Sequence, residues 1–397
     1  MLDHRHNEGA VSESPQAAVP AKQSAGTRTP IDLARPNLTE AEINAVVDVM
    51  RGGRLCLGPK LEEFEQRFQE VCQTSHAVAV SSGTAGLHLL VRAFGIGTGS
   101  EVITTPFSFV ASANCALMEG AKPVFVDIDP DTWNINADAV ADAVTENTKG
   151  IIPVHVFGQP PAMNPIMEIA RNHGLRVIED ACEALGSRYH GKPAGSLGDG
   201  AVFGFYPNKQ ITTGEGGMIT TNDAEAAALC KSMRNQGRDT NGGWLAHPRM
   251  GYNYRLSDIC CALGIEQVKR LDEIVAARSR VESWYRERLK NESRLVMQQV
   301  ADGIDMSWFV LVVRLADDYS QNDRDRMLHA LRDQGIGCSN YFVPIHLQPF
   351  YRESFGYGEG DFPVCERIAA RTMALPFHHE LGQDDVDRVC ETLIDLL

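Results

Sequence analysis

Between residues 76 and 221, the sequence alternates short apolar runs with longer stretches whose apolar residues recur at helical spacing. This alternation is typical of a parallel sheet whose strands are joined by helices. We predict seven strands, at residues 76–80, 101–105, 123–126, 150–156, 176–178, 201–205 and 217–221. Helical patterns fill most of the intervals, at residues 85–94, 111–119, 136–144 and 164–173. The chain is therefore predicted to adopt an α/β fold.

The last interval breaks the alternation. Only the short stretch 206–216 separates the sixth predicted strand from the seventh. A parallel connection needs a dozen or more residues, usually with a helix, so this stretch predicts an antiparallel pair. The sheet should therefore be mixed, with one antiparallel member.

The turn between these two strands contains a single lysine, Lys209, which lies between Pro207 and the glycine-rich segment 214–217. A primary amine that is partly desolvated by such a turn is a candidate nucleophile towards a carbonyl group. A lysine in a loop is more often a solvated surface charge, so Lys209 alone does not define a site. A second signal is needed.

That signal is the predicted strand 176–178, which runs into Glu179 and Asp180. The carboxyl ends of strands in an open α/β sheet face the ligand crevice, so an acid placed there can meet a cationic nitrogen of a ligand. An aldehyde cofactor with a protonated pyridine ring needs an amine to bond its aldehyde and a carboxylate to hold the ring proton. Lys209 and Asp180 are the predicted pair.

The C-terminal third of the chain predicts a second, smaller α/β unit that follows a helical segment at 256–290. Its strands are expected at 308–315 and 339–343, and its helices at 323–334, near 365–372 and at 384–396. Near the N-terminus, Thr39 and Glu42 have the spacing of a capping box, which predicts a helix that ends at Gly52 and Gly53.

Eight short motifs in the chain resemble those of one known family, the DegT/StrS-type sugar aminotransferases, which are fold type I enzymes that use pyridoxal phosphate. In order along the chain, the motifs are residues 82–87, 107–112, 123–127, 155–159, 179–181, the lysine stretch 203–219, 251–255 and 344–347. The resemblance implies a mixed seven-stranded sheet in a large cofactor-binding domain at 30–255, which includes the N-terminal helix. A small C-terminal α/β domain at 256–397 is expected to follow, and residues 1–29 are expected to be a mobile tail.

The start of the helix after the first strand is a predicted phosphate site. Gly83, Thr84 and Ala85 open this helix, where backbone N–H groups and the helix dipole favour an anion and the Thr84 hydroxyl adds a donor. The resemblance also implies that the ring of Phe109 stacks on the cofactor, with Phe107 as the alternative.

Two positions depart from the commonest family pattern. Gly204 stands where many members have a serine that reaches the phosphate, so that contact should be missing or replaced. Glu183 stands where glutamine or histidine is frequent and could contact the ring hydroxyl of the cofactor. A glutamate at this position slightly favours amination of a 4-keto sugar over amination at C3.

The resemblance implies a homodimer with shared active sites, in which Asn253 reaches the cofactor phosphate of the neighbouring subunit. Tyr341 and His346 are candidate substrate-facing residues. Arg255 is one guess for the group that binds the carboxylate of the amino donor.

The implied function is transfer of an amino group from L-glutamate or glutamine to a keto sugar nucleotide, in the biosynthesis of amino sugars for a polysaccharide or an antibiotic. Pyridoxal 5'-phosphate would alternate with pyridoxamine 5'-phosphate. An aminotransferase acting on a keto-cyclitol or another secondary-metabolite ketone is the alternative. A non-enzymatic regulator or scaffold loaded with the cofactor is less favoured, because Lys209 and Asp180 are both present.

Composition excludes several other classes. A net charge of −15 argues against a protein that binds the phosphate backbone of nucleic acid. The 10 cysteines are scattered without metal-ligand spacing, so we expect reduced thiols, no metal site and a cytoplasmic protein. No stretch approaches the length of a membrane span.

Overall fold

The computed structural model describes residues 29–239 and 245–397 of the chain. Apart from its last residue, the predicted N-terminal tail at 1–29 lies outside the described residues. The described helices are α1 (Glu40–Gly52), α2 (Pro59–Cys72), α3 (Gly83–Ala93), α4 (Ala111–Leu117), α5 (Ala137–Asp142), α6 (Met163–His173), α7 (Ala224–Arg234), α8 (Asp258–Lys269), α9 (Leu271–Leu289), α10 (Gln321–Asp333), α11 (Pro349–Phe355), α12 (Pro363–Ala369) and α13 (Gln383–Leu396).

The described strands are β1 (His76–Val80), β2 (Glu101–Thr104), β3 (Lys122–Phe125), β4 (Thr148–Ile152), β5 (Arg176–Asp180), β6 (Arg188–Tyr189), β7 (Lys192–Pro193), β8 (Gly200–Gly204), β9 (Gly217–Thr221), β10 (Leu295–Met297), β11 (Ile304–Asp305), β12 (Leu311–Leu315) and β13 (Thr372–Leu375). Two single-turn 3₁₀ helices lie at Val156–Gly158 and Ile345–Leu347.

Seven strands form one mixed sheet in the order β1-β9-β8-β5-β4-β2-β3. Strand β9 pairs antiparallel with both of its neighbours, β1 and β8, whereas the other pairs in this sheet are parallel. The seven predicted strands and the antiparallel pair are therefore confirmed. Strands β8 and β9 are antiparallel because only the turn at 205–216 connects them, as the sequence predicts.

Strands β5 and β8 lie side by side in parallel register, with Asp180 opposite Val202. Their carboxyl ends therefore open at the same edge of the sheet. The turn that carries Lys209 begins at that edge, directly after Gly204. Parallel register thus brings together two residues that are distant in sequence.

Both faces of the large sheet are covered. Helices α2 and α8 pack on one face through an apolar cluster that includes Phe64, Phe68, Phe203 and Phe205. Helix α3 packs on the other face, and the side chains of β8 are almost entirely buried. Burial on both faces explains why these strands read as continuous apolar runs rather than as alternating ones.

The predicted N-terminal helix is confirmed as α1. Thr39 caps it through a capping box with Glu42, and Gly53 ends it in the left-handed conformation, at φ 74°. The predicted helical segment 256–290 consists of two helices, α8 and α9, which are interrupted at Arg270.

Strands β10, β12 and β13 form a second, antiparallel sheet in the C-terminal part of the chain. Helices α9, α10 and α13 contribute to the apolar cluster that packs on it. The domain boundary at 255/256 stays a prediction.

One prediction in this region is wrong, and another extends too far along the chain. The stretch 339–343 is not a strand, since its pairing is limited to one isolated bridge between Ser339 and Ala374. The predicted helix near 365–372 ends at Ala369, and the next apolar residues form β13. A short apolar run fits a buried strand as well as a helix, so its periodicity does not distinguish the two.

Candidate active site

A cavity of about 680 Å³ opens at the carboxyl ends of β5 and β8, within the size range of small-molecule sites. It is lined by Ser82, Gly83, Thr84, Ser108, Phe109, Ala111, Val154, Asp180, Cys182, Glu183, Gly204, Phe205, Tyr206, Asn208, Lys209, Glu215, Gly216, Phe309, Asn340, Tyr341, Phe342 and Val343. Seven stretches that are separate in sequence contribute to this lining, and two of them, at Phe309 and at 340–343, come from the C-terminal part of the chain.

Lys209 projects into this cavity from the turn after β8. Its ammonium nitrogen lies 3.9 Å from the centroid of the Phe309 ring and 3.4 Å from Oε1 of Glu183. An aromatic face and a carboxylate both attract a cation, so they hold the lysine side chain in one direction. The lysine turn is also fixed by Gln210, whose amide donates to the carbonyl oxygens of Glu183 and Ser307.

Asp180 lies at the end of β5 and is only 6% exposed. Its Oδ2 accepts a hydrogen bond from the Ser112 hydroxyl at 2.6 Å, and its Oδ1 accepts one from the backbone N–H of Cys182 at 3.3 Å. Across 29–239 and 245–397, no lysine, arginine or histidine forms an ion pair with it. A buried carboxylate without a cationic partner is costly, so this position suits a ligand that carries a positive charge.

Glu183 is buried between the cavity and the loop after β4. Its Oε2 accepts a hydrogen bond from the backbone N–H of Phe157 at 3.0 Å. Burial raises the pKa of Glu183 above its ordinary value, and the nearby Lys209 ammonium opposes that rise. The carboxyl group is therefore held at the cavity wall by a backbone donor on one side and by the lysine on the other.

The N-terminus of α3 points at the same cavity. Ser82 caps the helix by accepting a hydrogen bond from the N–H of Ala85 at 3.1 Å. Gly83 and Thr84 line the cavity, whereas Ala85 is buried and already donates to the cap. The first N–H groups of a helix have no acceptor within it, so Gly83 and Thr84 can serve an anion there.

Two phenylalanines of one motif have different environments. Phe109 lines the cavity and is 65% exposed, so its ring is available to a ligand. Phe107 is fully buried, and its ring packs edge-on against Phe157 and Phe342 at centroid distances of 5.8 Å and 5.6 Å. The structure thus places Phe109, and not Phe107, where a flat ligand can stack.

Gly204, the last residue of β8, also lines the cavity. A Cβ atom at this position would lie 3.5 Å from Cβ and Sγ of Cys182, which is ordinary van der Waals contact. No steric conflict therefore explains the glycine. The position has room for a small side chain and supplies no hydroxyl.

Of the three predicted substrate-facing residues, the structure places only Tyr341 at the cavity. Burial raises the pKa of Tyr341 to about 12, and the nearby Asn208 side chain opposes that rise. Arg255 lies outside the lining and donates to Oδ1 of Asn235 at 3.0 Å.

His346 requires a correction, because its side chain is fully buried and does not face the cavity of its own chain. Its Nε2 lies 3.0 Å from Oε1 of Glu366, and its ring packs against Phe362. The sequence places His346 in a motif. Nothing in the sequence indicates its contact with Glu366, twenty positions later. Asn253 is exposed and also lies outside its own chain's cavity.

Sequence reasoning missed several lining residues, among them Phe309, Asn208 and Glu215. Phe309 lies in the segment before β12, one hundred positions after Lys209. At that separation, no spacing pattern in the sequence indicates that the two residues are in contact. Glu215 lies in the glycine-rich turn and could have been named from its position. Of the lining residues, Lys209 carries the one positive charge, beside three carboxylates.

These residues fit pyridoxal phosphate. The buried, cation-free carboxylate of Asp180 suits a protonated ring nitrogen, and Lys209 supplies an amine in the same cavity. The start of α3 suits a phosphate, and the exposed ring of Phe109 suits a flat aromatic group. In the described part of the chain, no cluster of acids, histidines or cysteines is arranged to hold a metal ion. None of the described helices is long and apolar enough to cross a membrane.

Comparison with known proteins gives the same result. The family model of the DegT/DnrJ/EryC1/StrS aminotransferases matches residues 36–394. GDP-perosamine synthase from Caulobacter vibrioides is 41% identical over 370 residues, which cover 92% of this chain and 98% of that protein.

Solved structures agree with the fold. The PLP form of Spr1654 from Streptococcus pneumoniae matches with a TM-score of 0.87 at 28% identity, over 92% of this chain and 98% of that one. PseC from Helicobacter pylori, an aminotransferase of pseudoaminic acid biosynthesis, matches with a TM-score of 0.88 at 27% identity, over 93% and 99%. The chain belongs to the DegT/DnrJ/EryC1/StrS family and is a sugar aminotransferase of fold type I that depends on pyridoxal phosphate.

Proposed function

We propose that this enzyme transfers the amino group of L-glutamate, or of glutamine, to the keto group of a nucleotide-linked sugar, with a 4-keto sugar preferred. The observation that carries the proposal is the presence of Lys209 and the cation-free Asp180 in one cavity. The similarity to a protein named GDP-perosamine synthase supports an acceptor that is carried on a nucleotide.

Lys209 is proposed as the catalytic base and acid. When bound, pyridoxal phosphate supplies an aldehyde that bonds amines and a ring that accepts electrons. The Lys209 amine takes the proton from the α-carbon of the donor, and in the return half-reaction it delivers a proton to the former keto carbon of the sugar. Phe309 and Glu183 hold this amine in one direction.

Asp180 is proposed to hold the positive charge on the ring nitrogen, and Phe109 to restrain the tilt of the ring. Gly83 and Thr84 bind the phosphate at the start of α3, where the helix dipole favours an anion. Ala85 belongs to the same turn but acts through the Ser82 cap.

Glu183 is proposed to contact the ring hydroxyl, and the preference for a 4-keto sugar rests on this residue. Its carboxyl group is anchored by the Phe157 N–H, so one oxygen stays directed at the cavity and at Lys209. Tyr341, which lines the same cavity, is proposed to face the sugar.

We also propose that the active form is a homodimer in which Asn253 completes the phosphate site of the neighbouring chain. The lining of one chain carries one cation and three carboxylates, although the cofactor phosphate and the substrates are anionic. The exposure of Asn253 outside its own cavity supports a role towards a second copy.

The test compares wild-type protein with Lys209→Ala and with Lys149→Ala, a matched control that removes an exposed lysine. Wild type and the control should lose their cofactor absorbance with L-glutamate and release 2-oxoglutarate. Lys209→Ala should slow turnover by at least about a thousandfold, since proton transfer alone contributes ~10²–10⁴-fold.

Borohydride reduction and peptide mapping should find the cofactor on Lys209. Trapping on another lysine would overturn the assignment. A panel of GDP-linked and other keto sugar nucleotides, with a keto-cyclitol for contrast, then identifies the acceptor, and turnover of the cyclitol alone would contradict the proposed substrate class.

A further inference from the structure

A chain of two buried hydroxyls leads to the carboxylate of Asp180. Ser112, the second residue of α4, is 1% exposed, and its Oγ lies 2.6 Å from Oδ2 of Asp180. The hydroxyl of Ser108, which is also buried, lies 2.7 Å from the hydroxyl of Ser112. The two serines bracket Phe109, and the carbonyl oxygen of Phe109 lies 3.2 Å from the Ser112 hydroxyl.

From this geometry we infer that Ser112 is a positioning residue that keeps Asp180 in its charged form opposite the cofactor ring nitrogen. The inference rests on the proposed role of Asp180. Ser108 supports Ser112 in the same chain of hydrogen bonds. Ser112 lies outside the cavity lining and acts through Asp180, so it is not a catalytic residue.

The number of hydrogens on each group determines which group donates and which accepts along these hydrogen bonds. A serine hydroxyl has one hydrogen to donate and can accept from a second group. An ionised carboxylate can only accept, so Ser112 donates to a charged Asp180 and in turn accepts from Ser108. A protonated Asp180 would be a donor itself at one oxygen, and the Ser112 hydroxyl would turn to the Phe109 carbonyl.

The ring nitrogen and Asp180 can share one proton in two alternative protonation states. The proton lies either on the ring nitrogen, next to a charged Asp180, or on Asp180, next to a neutral ring. A donor to the carboxylate stabilises the charged form. Removing a hydrogen bond to a charged group should therefore move this equilibrium towards the neutral ring by about ten- to a hundredfold.

Ser112 also contacts Phe109, the residue proposed to stack on the cofactor ring. The backbone N–H of Ser112 donates to the carbonyl of Phe109 at 3.3 Å, so the residue that orients the carboxylate also orients the residue proposed to stack on the ring. A shift of Ser112 would move both groups together.

The experiment uses the holoenzyme loaded with cofactor labelled with ¹⁵N at the ring nitrogen. The ¹⁵N chemical shift reports directly whether this nitrogen carries a proton, without reference to turnover. Ser112→Ala should move the resonance towards the neutral ring and slow the single-turnover reaction with L-glutamate by about tenfold or more. Ser112→Thr, which keeps the hydroxyl, should retain the wild-type resonance.

Two further variants complete the set. Ser108→Ala should give a smaller shift in the same direction. Ser187→Ala is the matched control, because Ser187 is equally buried and hydrogen-bonded to Gly158 and Ser307 instead of to Asp180. Its resonance should not move.

Asp180→Asn separates failure of this inference from failure of the proposed function. If Asp180→Asn moves the resonance but Ser112→Ala does not, the role of Ser112 is refuted and that of Asp180 stands. If neither variant moves it, the proposed role of Asp180 is refuted. If Ser187→Ala moves it as far as Ser112→Ala, the effect comes from packing and the inference fails.

Discussion

At the scale of single residues, Gly204 is a cavity-lining position that provides no side-chain hydrogen-bond donor for the cofactor phosphate. The N-terminus of α3 provides backbone donors and the Thr84 hydroxyl, while Gly204 lines the same cavity without a side chain. A Cβ atom there would meet Cys182 at ordinary contact distance, so the structure does not require glycine. A hydroxyl can therefore be added at this position.

We predict that Gly204→Ser folds normally and binds pyridoxal phosphate more tightly. A hydrogen bond to a charged oxygen contributes about 1.5–3 kcal/mol, so the dissociation constant should fall by about tenfold or more. The measurement is cofactor release on dialysis, followed by absorbance and compared with wild type.

Gly204→Ala is the matched control, because it adds the Cβ atom without the hydroxyl. It should leave the affinity near that of wild type. Equal gains in the two variants would show that strand stiffening, and not a phosphate contact, causes the effect.

The sequence was sufficient for those cavity-lining residues whose positions follow from local signals. Asp180 ends an apolar strand, Lys209 lies in a turn too short for a parallel crossover, and Gly83 opens a helix. Contacts between segments that are distant in sequence could not be predicted. The approach of Phe309 to Lys209 and the burial of His346 depend on packing between distant segments, which no periodicity records.

At the scale of elements, helix α9 ties the lysine turn to the second sheet. Arg278, buried in this helix, donates to the carbonyl oxygens of Lys209 at 3.2 Å and of Phe309 at 3.1 Å. Burial lowers the pKa of Arg278 to about 10, and no acid in the described ranges forms an ion pair with it. One guanidinium thus holds in place both the amine-bearing turn and the ring that faces the amine.

We predict that Arg278→Met destabilises the cofactor-free protein. Two buried carbonyl groups would lose their donor, and an unsatisfied buried group costs about 1–3 kcal/mol. Urea unfolding should therefore give a lower free energy of unfolding, and Arg278→Lys, which keeps a charged donor, should lose less.

An unchanged or higher stability of Arg278→Met would contradict this prediction. It would mean that the cost of burying the guanidinium exceeds the value of its two hydrogen bonds, as is known for some buried charges.

The elements themselves were predictable where their pattern was long or their connection short. The seven strands of the large sheet and the antiparallel pair of β8 and β9 followed from alternation and turn length. Residues 339–343 were wrongly predicted as a strand, and β13 was missed, because runs of four or five residues fit several structures. Their conformation is decided by what they pack against, as β13 shows in its pairing with β12.

At the scale of the whole molecule, the proposed dimer supplies a further neutral donor to a cavity that is poor in cations. The chain carries a net charge of −15, and its cavity lining holds three carboxylates and one lysine. At the start of α3 this lining offers an anionic phosphate the neutral donors of backbone N–H groups and the Thr84 hydroxyl, and a second chain can add a donor from outside it. Asn253 is the proposed outside donor, supplied by the second chain.

The position of Asn253 is well supported within its own chain. Its neighbours Tyr252 and Tyr254 stack on each other at 4.9 Å, and the ring of His88 from α3 packs against Tyr252 at 4.8 Å. The carbonyl of Tyr254 accepts a hydrogen bond from Ser81, just before the proposed phosphate site. A well-anchored turn that exposes a polar side chain is suited to contact another chain.

The last prediction tests this sharing by complementation. Lys209→Ala and Asn253→Ala chains are mixed in equal amounts, unfolded together and refolded. If sites are shared, a mixed dimer has one site with both lesions and one with neither. Random pairing puts half of the chains into mixed dimers, so about a quarter of all sites should be intact. Activity should rise to that fraction of wild type when cofactor is limiting.

Each variant refolded alone is the control, and its activity should stay low under the same conditions. The loss of one donor to a charged oxygen weakens binding by about 1.5–3 kcal/mol, so limiting cofactor leaves most Asn253→Ala sites empty. Mixed dimers must be demonstrated independently, for example with two affinity tags. If they form and activity does not rise, each site is built within one chain, and the phosphate is bound by groups of that chain, such as the backbone N–H groups and the Thr84 hydroxyl at the start of α3.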